Sequence, residues 1–331
     1  MKKGPICMNE ANSKETLYKK MFLEHAFIEK KNHENRTLGE YFYVPEESGG
    51  GYFWIYSLAD QYSIKIHNFY FHEDIIADFP GHEGLSVCYY YSVSGEELDP
   101  YRRIPAGQVR FLNYIDYHFK AVIHKKIPIQ TVEIELYSGY YEKFISEKFG
   151  EVAFDFDRLF RNIDWCTDFP EMERLLSQIW NYEGDGMAAK LFYDSMVSQA
   201  ISLIIEYNRR NTTPSHEVYI SEDDRHAIDT VNKYLNDHFS GDVSTDKLCK
   251  IACFGKTKFK TLFKEINHCT VTEYVTEKRL SQAESLLSST SLTIEQIANA
   301  IGYSNPSRFA ALFKKSTGLF PSDYRRITNN Q

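Results

Sequence analysis

The chain contains one segment twice. Lys258-Phe259-Lys260-Thr261-Leu262-Phe263-Lys264-Glu265 returns fifty residues later as Arg308-Phe309-Ala310-Ala311-Leu312-Phe313-Lys314-Lys315. In this register Phe259 falls on Phe309, Leu262 on Leu312, Phe263 on Phe313 and Tyr274 on Tyr324. The apolar positions recur at the helical period, so each copy predicts one amphipathic helix with a buried Phe/Leu face. An internal repeat constrains architecture before any other signal, and two copies are too few for a solenoid. Ahead of each copy lies a second matching stretch: Leu248-Cys249-Lys250-Ile251-Ala252-Cys253-Phe254 aligns with Ile297-Ala298-Asn299-Ala300-Ile301-Gly302-Tyr303 at an offset of 49. Each unit therefore reads as a short helix, a tight turn and a longer helix. That is the helix-turn-helix pattern, whose second helix enters the DNA major groove.

The residues Ile297-Ala298, Gly302-Tyr303-Ser304, Phe309, Leu312 to Lys315, Gly318, Pro321-Ser322 and Tyr324-Arg325 stand at the spacings of a known family. So do Tyr274, Arg279, Ala283 and Leu286-Leu287 between the two units. Residues 223 to 328, about a third of the chain, resemble the DNA-binding domain of AraC/XylS-type regulators. The resemblance implies two helix-turn-helix units joined by a long helix, read as Thr270 to Leu287. It also implies double-stranded DNA as partner and a cupin-like N-terminal barrel that senses a small-molecule effector or dimerises. RNA polymerase is a further candidate partner.

Lys256, Lys258, Lys260 and Lys264 share one helix face with no acid among them. Such lysines are often merely solvated, but their place in the motif favours phosphate contacts. Thr257, Thr261, Asn305, Ser307 and Arg308 carry groups that match base edges. Ser304, Lys314 and Lys315 complete the expected DNA interface, and Ala311 is suited to a thymine methyl. Ala310 and Ala311 stand where the first copy has Lys260 and Thr261, so the first unit should bind more strongly through charge. His268 stands where the second copy has Gly318, just past a helix end where glycine relieves a left-handed backbone.

A length of 331 residues suits two domains. The net charge of -8 speaks against nucleic acid only until its distribution is read. From Ser221 onward there are 15 basic and 13 acidic residues, against 23 and 33 before it. Local basic faces govern DNA binding, not the total. The asymmetry also permits the acidic part to dock on the basic one. No apolar run approaches a membrane span, the stretch after Met1 is polar, and the scattered cysteines fit a reducing, cytoplasmic setting.

The expected fold class is α+β: a β-rich, cupin-like barrel with following helices, then an all-α domain with two helix-turn-helix units. Residues 1–35 read as a polar, helical segment (Leu17, Met21, His25, Ile28), 36–208 as the sensing and dimerisation domain, 209–221 as a linker and 222–331 as the DNA-binding domain. Strands are expected at Tyr41–Val44, Tyr52–Tyr56, Tyr62–Ile66, Leu85–Tyr91, Gln108–Leu112, Tyr117–Ile123 and Thr131–Leu136. Ser48-Gly49-Gly50-Gly51, Pro80-Gly81, Ser94-Gly95 and Pro105-Ala106-Gly107 are read as turns. Helices are expected at Pro170–Tyr182 and Met187–Tyr207. The second is apolar around more than one face, which suggests a homodimer through residues 170–208 with Ile201 toward the partner.

Trp54, Tyr56, Tyr89, Tyr91 and Phe111 are the candidate effector-binding residues, because ligand pockets are mainly apolar and aromatic. His67, His72, His82, His118 and His124 show no tight ligand pattern, and Cys249, Cys253, His268 and Cys269 fit no standard zinc spacing. No metal, cofactor or catalytic constellation is expected. The alternatives are a metal-dependent cupin enzyme fused to a DNA-binding module, or a regulator governed by a protein partner alone.

Overall fold

The computed structural model describes residues 27–30, 36–58, 61–79, 84–98, 101–114, 118–137, 169–211, 220–267 and 269–329, with isolated positions between 140 and 163. The N-terminal part holds two sheets. The larger has the strand order β1-β2-β3-β4-β11-β6-β9. These strands are β1 (Ile28–Lys30), β2 (Glu40–Tyr43), β3 (Gly49–Leu58), β4 (Tyr62–Phe71), β6 (Gly84–Ser92), β9 (Val109–Asn113) and β11 (Ile129–Tyr137). The smaller has the order β5-β10-β7-β8, with β5 at Ile75–Phe79, β7 at Gly95–Leu98, β8 at Tyr101–Arg103 and β10 at Phe119–Ile123.

Alternation along the long strands gives the large sheet two different faces. Tyr62, Ile64, Ile66, Leu85, Val87, Val132, Ile134 and Leu136 point to one side and are buried under helices α1 (Pro170–Asn181) and α2 (Gly186–Asn211). Phe42, Phe53, Ile55 and Phe69 point to the other side, against Ala77, Ala121 and Ile123 of the small sheet. Charge is embedded between the sheets as well. Lys65 Nζ lies 2.9 Å from Glu133 and 2.8 Å from Glu135, and Arg110 lies 2.6 Å from Glu97. Burial alone would depress the Lys65 ammonium, yet the two carboxylates hold it above its ordinary value.

The expected barrel is not closed: among the described residues the two sheets remain separate. Closure needs an unbroken ladder around the circumference. The short β8 stops before Pro105, which has no N–H to continue pairing, and the chain crosses to β9 in the other sheet. A second correction concerns the glycine run. Gly49, Gly50 and Gly51 lie inside β3, and the turn is Pro45 to Ser48, closed by Ser48 N–H to Pro45 O at 2.9 Å. The glycines let β3 approach β4: a Cβ on Gly51 would lie 2.2 Å from Asn68 O, and φ there is +93°.

Ile28 falls in a strand instead of the expected helix, while Leu17, Met21 and His25 lie outside the described residues. Ile201 is 3% exposed in the core between α2 and the sheet, so it does not face a partner. The large apolar residues exposed on α2 are Met187 and Leu191, 69% and 65% exposed.

The C-terminal part comprises α3 (Glu222–His238), α4 (Thr245–Ala252), α5 (Lys256–Asn267), α6 (Val271–Ser289), α7 (Ile294–Ala300), α8 (Pro306–Thr317) and α9 (Pro321–Asn329). Their starts follow the sequence signals. Thr270 with Glu273 and Thr293 with Gln296 each form a reciprocal capping box, as does Ser221 with Asp224. Two apolar cores result, one around Phe259, Phe263 and Tyr274 and the other around Phe309, Phe313 and Tyr324.

Candidate DNA interface

Each unit is built the same way. Phe259, Leu262 and Phe263 bury one side of α5, and Phe309 and Phe313 bury the corresponding side of α8. The turn before each recognition helix carries one left-handed residue: Cys253 at φ 56° in the first unit and Gly302 at φ 89° in the second. These two positions align in the repeat. Cys253 is exposed, whereas Cys249 and Cys269 are buried packing residues, and His268 lies outside the described residues. At the end of α8, Gly318 adopts the left-handed cap expected of it, at φ 79°.

Helix α6 holds the two units together. Arg279 on α6 donates to Phe239 O at 2.8 Å and Gly241 O at 2.9 Å behind the first unit, and to Gly302 O at 3.2 Å in the turn of the second. One guanidinium thus ties the connection after α3 to the turn of the second unit, using the fork geometry that a lysine lacks.

The recognition side chains all project to solvent. Lys256, Thr257, Lys258, Lys260, Thr261 and Lys264 are exposed on α5, and Ser304, Asn305, Ser307, Arg308, Ala311, Lys314 and Lys315 are exposed in and before α8. The four lysines of the first face are not equivalent. Lys256 Nζ lies 2.7 Å from Asp246, and Lys258 Nζ lies 2.7 Å from Asp224. Among the described residues no ion pair engages Lys260 or Lys264. Asn305 caps α8: its side-chain oxygen accepts from the N–H groups of Ser307 and Arg308, so only its amide NH2 remains to meet a base. Lys314 Nζ sits 4.0 Å from the Phe320 ring centroid.

The aromatic candidates lie elsewhere. Trp54, Tyr56, Tyr89 and Phe111 fill the core between the large sheet and α1 and α2. Tyr89 donates to Glu173 at 2.9 Å and Tyr91 to Ser177 at 3.0 Å, both on α1. Of the histidines, His67 is half-buried beside Glu133, and desolvation depresses it to about 4 despite that carboxylate. His72 is exposed, and His118 pairs with Asp78 at 2.5 Å. His82 lies outside the described residues.

Two basic recognition helices, each braced by a shorter helix and joined by one rigid connector, define a tandem helix-turn-helix DNA-binding domain. Comparison with known proteins agrees. A helix-turn-helix domain family matches residues 248–327. The chain is 37% identical over 83 residues to the HTH-type transcriptional regulator AlkR of Acinetobacter baylyi, covering 25% of this chain and 27% of that one. It is 25% identical over 158 residues to the arabinose operon regulatory protein of Escherichia coli, covering 47% and 51%. It is 29% identical over 98 residues to the regulatory protein SoxS of Salmonella typhimurium, covering 30% of this chain and 92% of that one. The C-terminal domain resembles those of AraC/XylS-type transcriptional regulators. The chain spans 27% to 52% of the length of the first three curated relatives it matches.

Proposed function

We propose that the chain is a sequence-specific regulator of transcription that binds double-stranded DNA through residues 222–331 and contributes no catalytic step. The observation that carries this reading is the pair of similarly built, exposed recognition faces held by α6. A rigid pair of this kind reads two successive major-groove faces, about 34 Å apart on one side of the duplex. The exposed lysines position the protein on phosphates, and Thr257, Thr261, Ser307 and Arg308 read bases. RNA polymerase is the partner such a regulator would address.

Residues 36–208 supply sensing and dimerisation in this reading. An effector at Trp54, Tyr56, Tyr89, Tyr91 and Phe111 would have to part α1 and α2 from the sheet, because these rings are packed under both helices. Binding there would move the helices proposed to form the dimer, with Met187 and Leu191 as the apolar patch a second copy covers. Among the described residues no helix is long and apolar enough to cross a membrane. Among the described residues, the free thiols of Cys88, Cys249 and Cys253 support a cytoplasmic setting.

The test is binding of the full chain to genomic DNA fragments, followed by footprinting. Protection of two adjacent major-groove faces, with affinity falling linearly in log salt, is expected. Binding of all sequences alike, or none, overturns the reading.

A further inference from the structure

The small sheet meets the C-terminal domain on α6 and the far end of α8, away from the recognition faces. The charges at this contact run opposite to the totals of the two parts. The acidic N-terminal part contributes Arg103 of β8, which is 0% exposed, and the C-terminal part contributes Glu284 of α6, which is 1% exposed. Arg103 donates through Nη2 to Glu284 and through Nη1 to Ser316 of α8. Ser94 donates to the same Glu284 oxygen at 2.9 Å and lies 3.0 Å from the Tyr324 hydroxyl of α9. Glu96 of β7, paired in register with Arg103, accepts from Ser281 of α6 and lies 3.2 Å from His124 Nε2. Glu96, His124 and Glu284 bring ligand-type atoms within 4.8 Å of one another, but the Arg103 guanidinium already pairs with Glu284 there.

Around this cluster the N-terminal part reaches into both helix-turn-helix units. Tyr101 packs on the core of the first, with its ring 6.0 Å from that of Tyr274. Ile127, 1% exposed, is a member of the core of the second. Two bonds to main chain join the same surfaces: Ala106 N–H donates to Ser316 O at 2.8 Å, and Lys126 Nζ to Thr328 O at 3.1 Å. Burying an ion pair this completely adds little net stability, because desolvation offsets most of the attraction. It does penalise every arrangement in which one partner is left alone.

We propose that this contact is a clamp. The N-terminal domain fixes the relative placement of the two helix-turn-helix units by holding Ile127 in the core of the second, Tyr101 against the core of the first and α6 between them. A change in the N-terminal domain reaches the DNA interface by loosening that hold. The recognition side chains are exposed with the clamp closed, so closure does not compete with DNA and instead preorganises the pair for binding. The proposal rests on reading the two units as DNA-binding.

Hydrogen exchange on the full chain tests the clamp without DNA. In the unaltered protein under mild denaturant, the Ala106 amide should exchange through an opening that leaves Ile134 of the large sheet and Phe309 of the second unit protected. In Glu284→Gln, Ala106 should exchange about tenfold faster while those two amides keep their rates. Exchange of all three in a single global step in the unaltered chain overturns the clamp, even if the variant fails to fold. So does an unchanged Ala106 rate in a folded variant. On DNA spanning two successive grooves, Glu284→Gln should bind at least about threefold more weakly with the same salt slope. Unchanged or tighter binding overturns the preorganising role. If neither protein binds DNA specifically while the exchange result holds, the DNA-binding reading fails and the clamp stands.

Discussion

At the scale of the residue, the lysine face divides into two classes. In the proposed interface Lys260 and Lys264, which no ion pair engages among the described residues, would meet a phosphate without first leaving an acidic partner. Replacing either with Ala should weaken binding to all DNA alike and lower the log affinity against log salt slope by about one unit. Lys256 must first leave Asp246. Asp246→Asn should therefore tighten non-specific binding, which a titration at low salt would show. Arg308→Ala should cost roughly 1–3 kcal/mol at one base pair and leave other positions unaffected, as seen by competition with single-site operator variants. His124 gives a pH dependence. It is faced by Asp74 on the loop before β5, Glu96 on β7 and Glu284 on α6, with Arg103 of β8 behind Glu284. Burial would depress the imidazole, but the Glu96 carboxylate 3.2 Å away and the other surrounding carboxylates raise it to about 9. A raised value means its stabilisation is full below the ordinary histidine pKa near 6.5 and is lost as pH rises through about 9. Two neighbours on α6 modify this window. Burial raises Glu277 to about 7, the same direction at lower pH, and lowers Lys278 to about 8, which opposes it. An NMR titration of His124 should give a midpoint well above 6.5 that falls in Glu96→Gln.

At the scale of the element, the helix-turn-helix repeat was fully legible because local signals and tertiary packing agree. Phe259, Phe263, Phe309 and Phe313 are buried as their spacing requires, and the two threonine capping boxes form where the sequence places them. Gly302 is the position this geometry tolerates least. Its φ is +89° and a Cβ would lie 2.2 Å from Ser240 O. Gly302→Ala should cost well over about 1 kcal/mol in urea unfolding. Strands β7 and β8 were not legible. Their Glu96, Glu97, Arg102 and Arg103 show no apolar alternation, yet all four are buried. Their burial comes from long-range partners such as Arg110, Ser281 and Glu284, which no local pattern reveals. The glycine run of β3 misled for the opposite reason. It has the composition of a turn, but the close approach of β4 is what requires it.

At the scale of the whole molecule, the apolar character of α2 is mostly spent within one chain, since Ala200, Ile201 and Ile204 face the large sheet. What remains for a second copy is the patch of Met187 and Leu191, one helical turn apart. Leu191→Glu should shift sedimentation from dimer to monomer without lowering thermal stability at low concentration, whereas Ile201→Glu should unfold the domain. The placement of Tyr101 and Ile127 carries a different consequence, for how such proteins diversify. A DNA-reading domain whose cores are finished by side chains from elsewhere is not an interchangeable cassette. Transplanted onto a foreign sensor, residues 222–329 would carry an isoleucine-sized vacancy in one unit and a bare tyrosine face in the other. A new sensor could be accommodated only together with compensating changes in both units, so the two halves of this chain are bound to evolve as one object.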